Sequence, residues 1–338
     1  GFYQKIYLDS TNTNDSVFFH LLENRLEWSN TKFNIDSGKF QKFLFSFSVK
    51  HRLQQIFNNS IDTTFNSFIP EASLDVDLST VIINFNGFYT NGGYQNKDFS
   101  GTAFVTYSIN KNLNHSLDFE YNLFKQKPVW TDLQYISNHF IWDNDFDQIN
   151  VNKVSFRYQY KRNSIKVIYS NIKNFVYYDY NALPKQNNIQ NKILQIELNK
   201  NIEWKKWNFD NQLVFQNFSN NNLTRIPKFL SCHSLYFSNH FFKKALFAQI
   251  GTDVTFYGSY SPLAYMPATG LFYLQHTYNA KSYTYVDFFV QMNIKRLKLF
   301  LKLEHLNSGI SSFNYFSSFH YPNNDRCFRL GFSWGFYN

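Results

Sequence analysis

The residues with the clearest chemical spacing are Asp143-Asn144-Asp145-Phe146-Asp147, where oxygen-bearing side chains recur at alternate positions. Hard cations such as calcium want several oxygens at close spacing. A calcium loop also needs Gly at its sixth position and Glu at its twelfth. Those positions hold Gln148 and Val154. A solvated loop is therefore the expectation, and no metal is assigned. Nine histidines and scattered Ser and Asp permit many triads on paper. The sequence has no His-Glu-x-x-His and no phosphate-binding glycine loop. Catalytic residues dispersed over strands would leave no such motif. Cys232 and Cys327 stand far apart, without metal-ligand spacing. A disulfide needs Cα atoms within about 7 Å, which the sequence leaves open. The expectation is no enzyme and no cofactor.

The remaining chemistry is ionic. Lys50, Arg157, Lys166, Lys298, Lys302 and Arg329 occupy the polar positions of alternating segments. So do Asp75, Asp77, Asp118, Glu120, Glu197, Asp210, Asp253, Asp287 and Glu304. These residues are expected to line a pore, with Arg157 and Arg329 as the leading candidates. A mixed-sign wall passes small polar solutes, with selectivity set by rings of side chains and loops. The alternative is that the charges pair across strands and merely fill the wall. A wide barrel can do both. The formal charge of +9 invites a nucleic-acid reading, but the positives do not cluster on one helix or groove. Several sit in pairs at expected tight turns: Lys161-Arg162, Lys205-Lys206, Lys243-Lys244 and Lys295-Arg296. Such turns are either simply solvated or a rim touching anionic head groups.

Strands must position these residues. In the closing segment, Phe328, Leu330, Phe332, Trp334 and Phe336 alternate with Cys327, Arg329, Gly331, Ser333 and Gly335. Alternation means a strand with one apolar and one polar face. The chain has many such segments and few aliphatic fillers for a soluble core. Phe 40 and Tyr 24 raise aromatics to 21%, while mean hydropathy is only −0.42. No run reaches the roughly 18 apolar residues of a spanning helix. A barrel with its apolar face toward lipid and its polar face toward water satisfies all of this. Tight turns, among them Asp36-Ser37-Gly38, Ser79-Thr80 and Lys111 to Asn114, alternate with longer links. The links are expected near Gln54 to Pro70, Lys125 to Gln148, Asn181 to Asn188, Ser219 to Pro227 and Ser308 to Asn324. The expected fold is an all-β, transmembrane, antiparallel up-and-down β-barrel of about sixteen strands. One hairpin more or fewer makes it eighteen or fourteen. The sixteenth strand is assigned to residues 2–9. Trp28, Trp204, Trp207 and Trp334 fall near short turns, and Tyr89, Tyr178 and Tyr257 near the opposite ends, as interfacial girdles require.

Three stretches carry a family resemblance: Ser137-Asn138-His139-Phe140-Ile141-Trp142-Asp143-Asn144-Asp145-Phe146; Ile294 to His305; and Tyr321-Pro322 with Asp325-Arg326 and Phe328 to Trp334. Together they resemble the putative porin family of Bacteroidota outer membranes, in a layout spanning nearly the whole chain. Members tend to be longer at the N-terminus, so the chain resembles a C-terminal, barrel-closing part or a reduced member. The sequence starts at Gly1 with no charged and apolar leader, so an export signal is expected to have been removed. The resemblance implies one outer-membrane β-barrel domain over 1–338, multi-pass in the cell outer membrane. Passive diffusion of small polar solutes is the leading function. The alternative is a plugged barrel serving as scaffold or partner subunit of a surface or secretion complex. Expected partners are outer-membrane lipids, small polar solutes and either further copies or other surface proteins, but no nucleic acid.

Overall fold

The computed structural model describes residues 3, 5–30, 43–58, 61–78, 80–109, 114–310 and 316–336. Alternating residues become strands because a pleated backbone sends successive side chains to opposite faces. In chain order the strands begin with β1 (Phe18–Ser29), β2 (Phe43–Phe57), β3 (Asp62–Asp77), β4 (Val81–Tyr89), β5 (Asn91–Gly92), β6 (Phe99–Ser108) and β7 (His115–Gln126). One helical turn, α1 (Trp130–Leu133), precedes the hairpin β8 (Gln134–Ile136) and β9 (Ile141–Asp143). Then come β10 (Ile149–Tyr160), β11 (Asn163–Lys173), β12 (Phe175–Tyr178), β13 (Pro184–Asn187), β14 (Asn191–Trp204), β15 (Trp207–Phe218), β16 (Phe229–Phe241) and β17 (Leu246–Tyr257). The last are β18 (Ala264–Met266), β19 (Leu271–Tyr273), β20 (Tyr283–Ile294), β21 (Leu297–Glu304), β22 (Phe316–Ser318), β23 (Tyr321–Pro322) and β24 (Cys327–Trp334). A 16-stranded sheet runs in the order β1-β2-β3-β4-β6-β7-β10-β11-β14-β15-β16-β17-β20-β21-β24, with β5 paired to β3. The other short strands make two-stranded hairpins in the longer links.

The chain forms two compact units. The first comprises Gly1–Tyr158, Ile168–Ile193 and Met266–Leu274. Here the register sets Glu23 opposite Arg52 and Arg25 opposite Lys50, leaving Leu22, Leu26 and Trp28 on the other face. The second comprises Gln159–Val167, Leu194–Tyr265 and Gln275–Asn338. Here Lys302 faces Arg329 while Leu301 faces Leu330. In both units the apolar face is bare: Leu26 is 81% exposed and Phe332 74%. A contiguous uncovered apolar face is no protein core, and a lipid solvent suits it.

Three expectations need correction. The supposed link Gln54 to Pro70 is strand almost throughout, with Gln54 opposite Phe65 and Gln55 opposite Thr64. Polar residues occupy both faces there, so alternation vanishes while the backbone ladder, which needs no side chain, continues. No strand forms over residues 2–9 among the described residues. Instead Tyr7 N donates to Asn138 O at 2.8 Å, and the sheet's sixteenth strand is β5. Tyr178 and Tyr257 are not girdle residues: Tyr178 donates to Asp132 within the links, and Tyr257 lies on the polar face opposite Tyr283. The turn at Asp36-Ser37-Gly38, Ser79, and Lys111 to Leu113 lie outside the described residues. The basic pairs do make tight turns. Lys161, Lys205 and Lys295 open two-residue hairpin turns with positive φ of 54°, 57° and 51°, and Lys243 and Lys244 take 51° and 72° in the four-residue turn 242–245.

Candidate functional site

Every charged residue that the sequence assigned to the polar face of a strand, from Lys50 to Arg329, lies on a strand of the sheet. In the first unit β1, β2 and β3 carry a network. Lys50 Nζ lies 2.6 Å from Glu71 and 3.9 Å from Glu23, and Arg25 reaches Glu27 at 3.0 Å and Glu71 at 3.4 Å. Arg52 reaches Glu23 at 3.0 Å. Buried Ser48 ties the network together, donating to Glu71 and accepting from Arg25 Nε. Asp75 accepts from Asn84 at 2.6 Å; Asp77, next along β3, is engaged as well. On β7 and β10, Arg157 Nε donates to Asp118 at 2.7 Å and Ser155 Oγ to Glu120 at 3.0 Å. Glu23, Arg25, Glu27, Arg52 and Glu71 join the residues expected from the sequence. Their signal was available for β1, where Glu23, Arg25 and Glu27 alternate with Leu22, Leu26 and Trp28.

The second unit has two centres. Arg162 lies 2.6 Å from Glu203 and 3.7 Å from Asp210, and Asp210 also accepts from Asn201. Glu197 accepts from Gln195; Lys166 on β11 is also engaged. Further along, Asp253 and Asp287 stand directly opposite each other. Like charges facing across a ladder repel. Lys302 bridges them, 2.9 Å from Asp287 and 3.6 Å from Asp253. Ser234 Oγ donates to Asp253 at 2.7 Å, and His305 N to Asp287 at 2.8 Å. Arg329 Nε donates to Glu304 at 2.7 Å. Lys298 faces Asn293 and Ser333.

Beside these ions lies an aromatic pair. Tyr236, Gly251, Phe289 and Lys302 follow one another across the sheet in register. A Cβ on Gly251 would sit 2.4 Å from Tyr236 Cβ, so only glycine allows this approach. The Tyr236 and Phe289 rings are 6.2 Å apart over it. A cavity of about 590 Å³ adjoins, walled by Arg162, Asn199, Asp210, Ser234, Asp253 and Lys302 among others.

The links hold a third arrangement, within the first unit. Asn138, 2% exposed, clamps the N-terminal segment. Its Oδ1 accepts from Leu8 N at 3.0 Å and Asp9 N at 2.9 Å. Its Nδ2 donates to Asp9 O, Asn12 O and Thr13 Oγ1. His139 Nδ1 lies 2.8 Å from Lys5 O, and Nε2 lies 3.1 Å from Thr13 Oγ1. Beneath the tip, Trp142 stacks on Tyr135 and donates to Thr131 O. Burial pushes the Asp132 carboxyl up, against the hydrogen bond from Tyr178. Burial likewise pushes Asp98 up, against hydrogen bonds from Gln148 and Lys127 N. The oxygen-rich run 143–147 is otherwise engaged: Asn144 Nδ2 donates to Asp132 O, and Asp145 lies 3.4 Å from Lys127. No cluster of three metal-ligating side chains occurs among the described residues. Both cysteines are free.

Comparison with known proteins supplies the wider context. The family described as Putative porin matches residues 2–338. No curated protein matches the chain. Among solved structures it is similar to a mutant of the ferric enterobactin receptor PfeA from Pseudomonas aeruginosa, with a TM-score of 0.65 at 11% identity over 94% of this chain and 54% of that one. It is similar to the siderophore receptor PirA from Acinetobacter baumannii, with a TM-score of 0.65 at 7% identity over 95% and 55%. The copper transporter OprC gives 0.63 at 10% identity over 93% and 56%. At such identities the likeness is one of fold: an all-β, antiparallel, transmembrane β-barrel. The chain spans about half the length of these structures.

Proposed function

Because the chain belongs to the Putative porin family, we propose that it is an outer-membrane porin, a water-filled channel for passive diffusion of small polar solutes. One barrel domain over 1–338 crosses the membrane many times, with outer-membrane lipid against its apolar face. The residues named in the sequence, from Lys50 to Arg329, line the lumen. The observation that carries this reading is the register. Charged residues of many strands share one face, while the exposed aromatics share the other. A polar wall of paired charges keeps water ordered but does not bar small neutral or weakly charged solutes. No chemical step is assigned to the channel.

Single-channel recording of purified protein in planar bilayers tests the proposal. Stable, large, weakly selective steps are expected. Arg157→Ala and Arg329→Ala, which strip the partners of Asp118 and Glu304, should shift the reversal potential toward cations. Silence from folded, inserted protein would overturn the channel. It would favour a plugged scaffold, for which the packed hairpin around Asn138 is the natural obstruction.

A further inference from the structure

We propose that the polar cavity of the second unit, together with the Tyr236 and Phe289 rings, is a subsite for a neutral mono- or disaccharide. The inference rests on the channel reading and names a solute class for it. Three observations converge. First, the charges around the cavity nearly cancel: Lys161, Arg162, Lys200 and Lys302 stand against Asp210, Asp253 and Asp287, with Arg162 at Asp210 and Lys302 between the other two carboxylates. A nearly neutral wall offers a charged solute little net attraction. Second, the wall between the pairs is amide and hydroxyl, with Asn199 joined to Ser164 and Ser234 joined to Asp253. Such groups exchange hydrogen bonds with a polyol at little cost. Third, an apolar platform stands one register row away, where two rings flank a glycine with no side chain of its own.

A pyranose presents hydroxyls at its rim and an apolar C–H face on its plane. It is the solute class that uses both halves of this site. An anion would leave the rings unused, and a cation would reach the carboxylates beside them only by displacing Lys302. A purely apolar solute would strip water from carboxylates and offer nothing in return. The cavity volume of about 590 Å³ falls in the range of pockets that enclose small ligands.

Calorimetric titration of the full chain in detergent with maltose and with cellobiose tests the site. Succinate and putrescine serve as charged probes of similar polarity. Saturable binding of at least one disaccharide is expected, with no saturable binding of either charged probe. Tyr236→Leu and Phe289→Leu keep bulk but remove the aromatic face, and each should weaken binding at least about tenfold. Folded protein that binds neither sugar overturns the subsite, even when the channel conducts. Undiminished binding in both leucine variants also overturns it. Sugar binding by a barrel that never conducts overturns the channel reading instead and leaves the subsite standing.

Discussion

Truncating Asn138 should release the N-terminal segment without unfolding the sheet. The side chain makes five hydrogen bonds to residues 8–13, and one of them, to Asn12 O, is long at 3.4 Å. A net value of about 0.5–1.5 kcal/mol per bond gives a gross loss of roughly 3–7 kcal/mol. The segment itself is exposed, so its freed Leu8 and Asp9 N–H groups can turn to water. That recovery reduces the expected cost of Asn138→Ala to about 2–4 kcal/mol of local stability. At 1.4 kcal/mol per factor of ten, the open population should rise by about 30- to 1,000-fold. Hydrogen exchange of the purified protein reads this directly, since locally opened amides exchange in proportion to that population. The amides of Leu8 and Asp9 should lose protection, while those of β16 and β17 keep theirs. Asn138→Asp retains the acceptor but loses the Nδ2 donors, and should fall between wild type and Ala. A change below about threefold at Leu8 and Asp9 in the Ala variant would refute the clamp.

Other perturbations follow from the same geometry. Lys302→Met removes the bridge between facing Asp253 and Asp287; the groups are partly exposed, so the cost should lie between surface and buried pairs, about 1–3 kcal/mol, and a second change, Asp253→Asn, should recover most of it in denaturant titrations. Asp132 has its folded pKa raised by burial, so the stability it contributes is complete below about pH 4 and is lost as pH rises through the raised value. Asp132→Asn should therefore flatten the pH dependence of Trp142 fluorescence above that point. Lys205→Gln with Lys206→Gln should lower retention of anionic phospholipid relative to phosphatidylcholine after delipidation, since Lys205 already lies 5.4 Å from the exposed Trp204 ring; equal retention would make these turns merely solvated.

Much of the sheet was legible because its two faces differ in polarity. Wherever one face is apolar and the other polar, as from Phe328 to Trp334, alternation marks the strand and the residues that share its polar face. It failed where both faces are polar, as at Gln54-Gln55 and Thr63 to Asn66, because the ladder persists there without a side-chain signature. It failed again at residues 2–9. Their apolar residues look like a strand, yet their backbone partners come from a hairpin 130 residues away, which no local period encodes. Individual pairs such as Lys50 with Glu71 were likewise hidden, since they depend on register rather than on spacing along the chain.

The net charge illustrates the same limit in a sharper form. A formal +9 would suggest an anion-attracting wall if charge were spread evenly. On the polar face it is not. Arg157 sits with Asp118, Arg329 with Glu304, and Lys302 between two aspartates, so the fields of these cations are cancelled within a few ångströms. Positive charge accumulates instead at hairpin turns, in Lys205-Lys206 and Lys243-Lys244, whose first residues hold a left-handed backbone that usually favours glycine or asparagine. Lysine in that conformation costs roughly 1 kcal/mol or more at each site. At Lys205-Lys206, a two-residue turn, a chain that needed only the turn would have done better with Asn-Gly, so the charge itself is the feature that position retains.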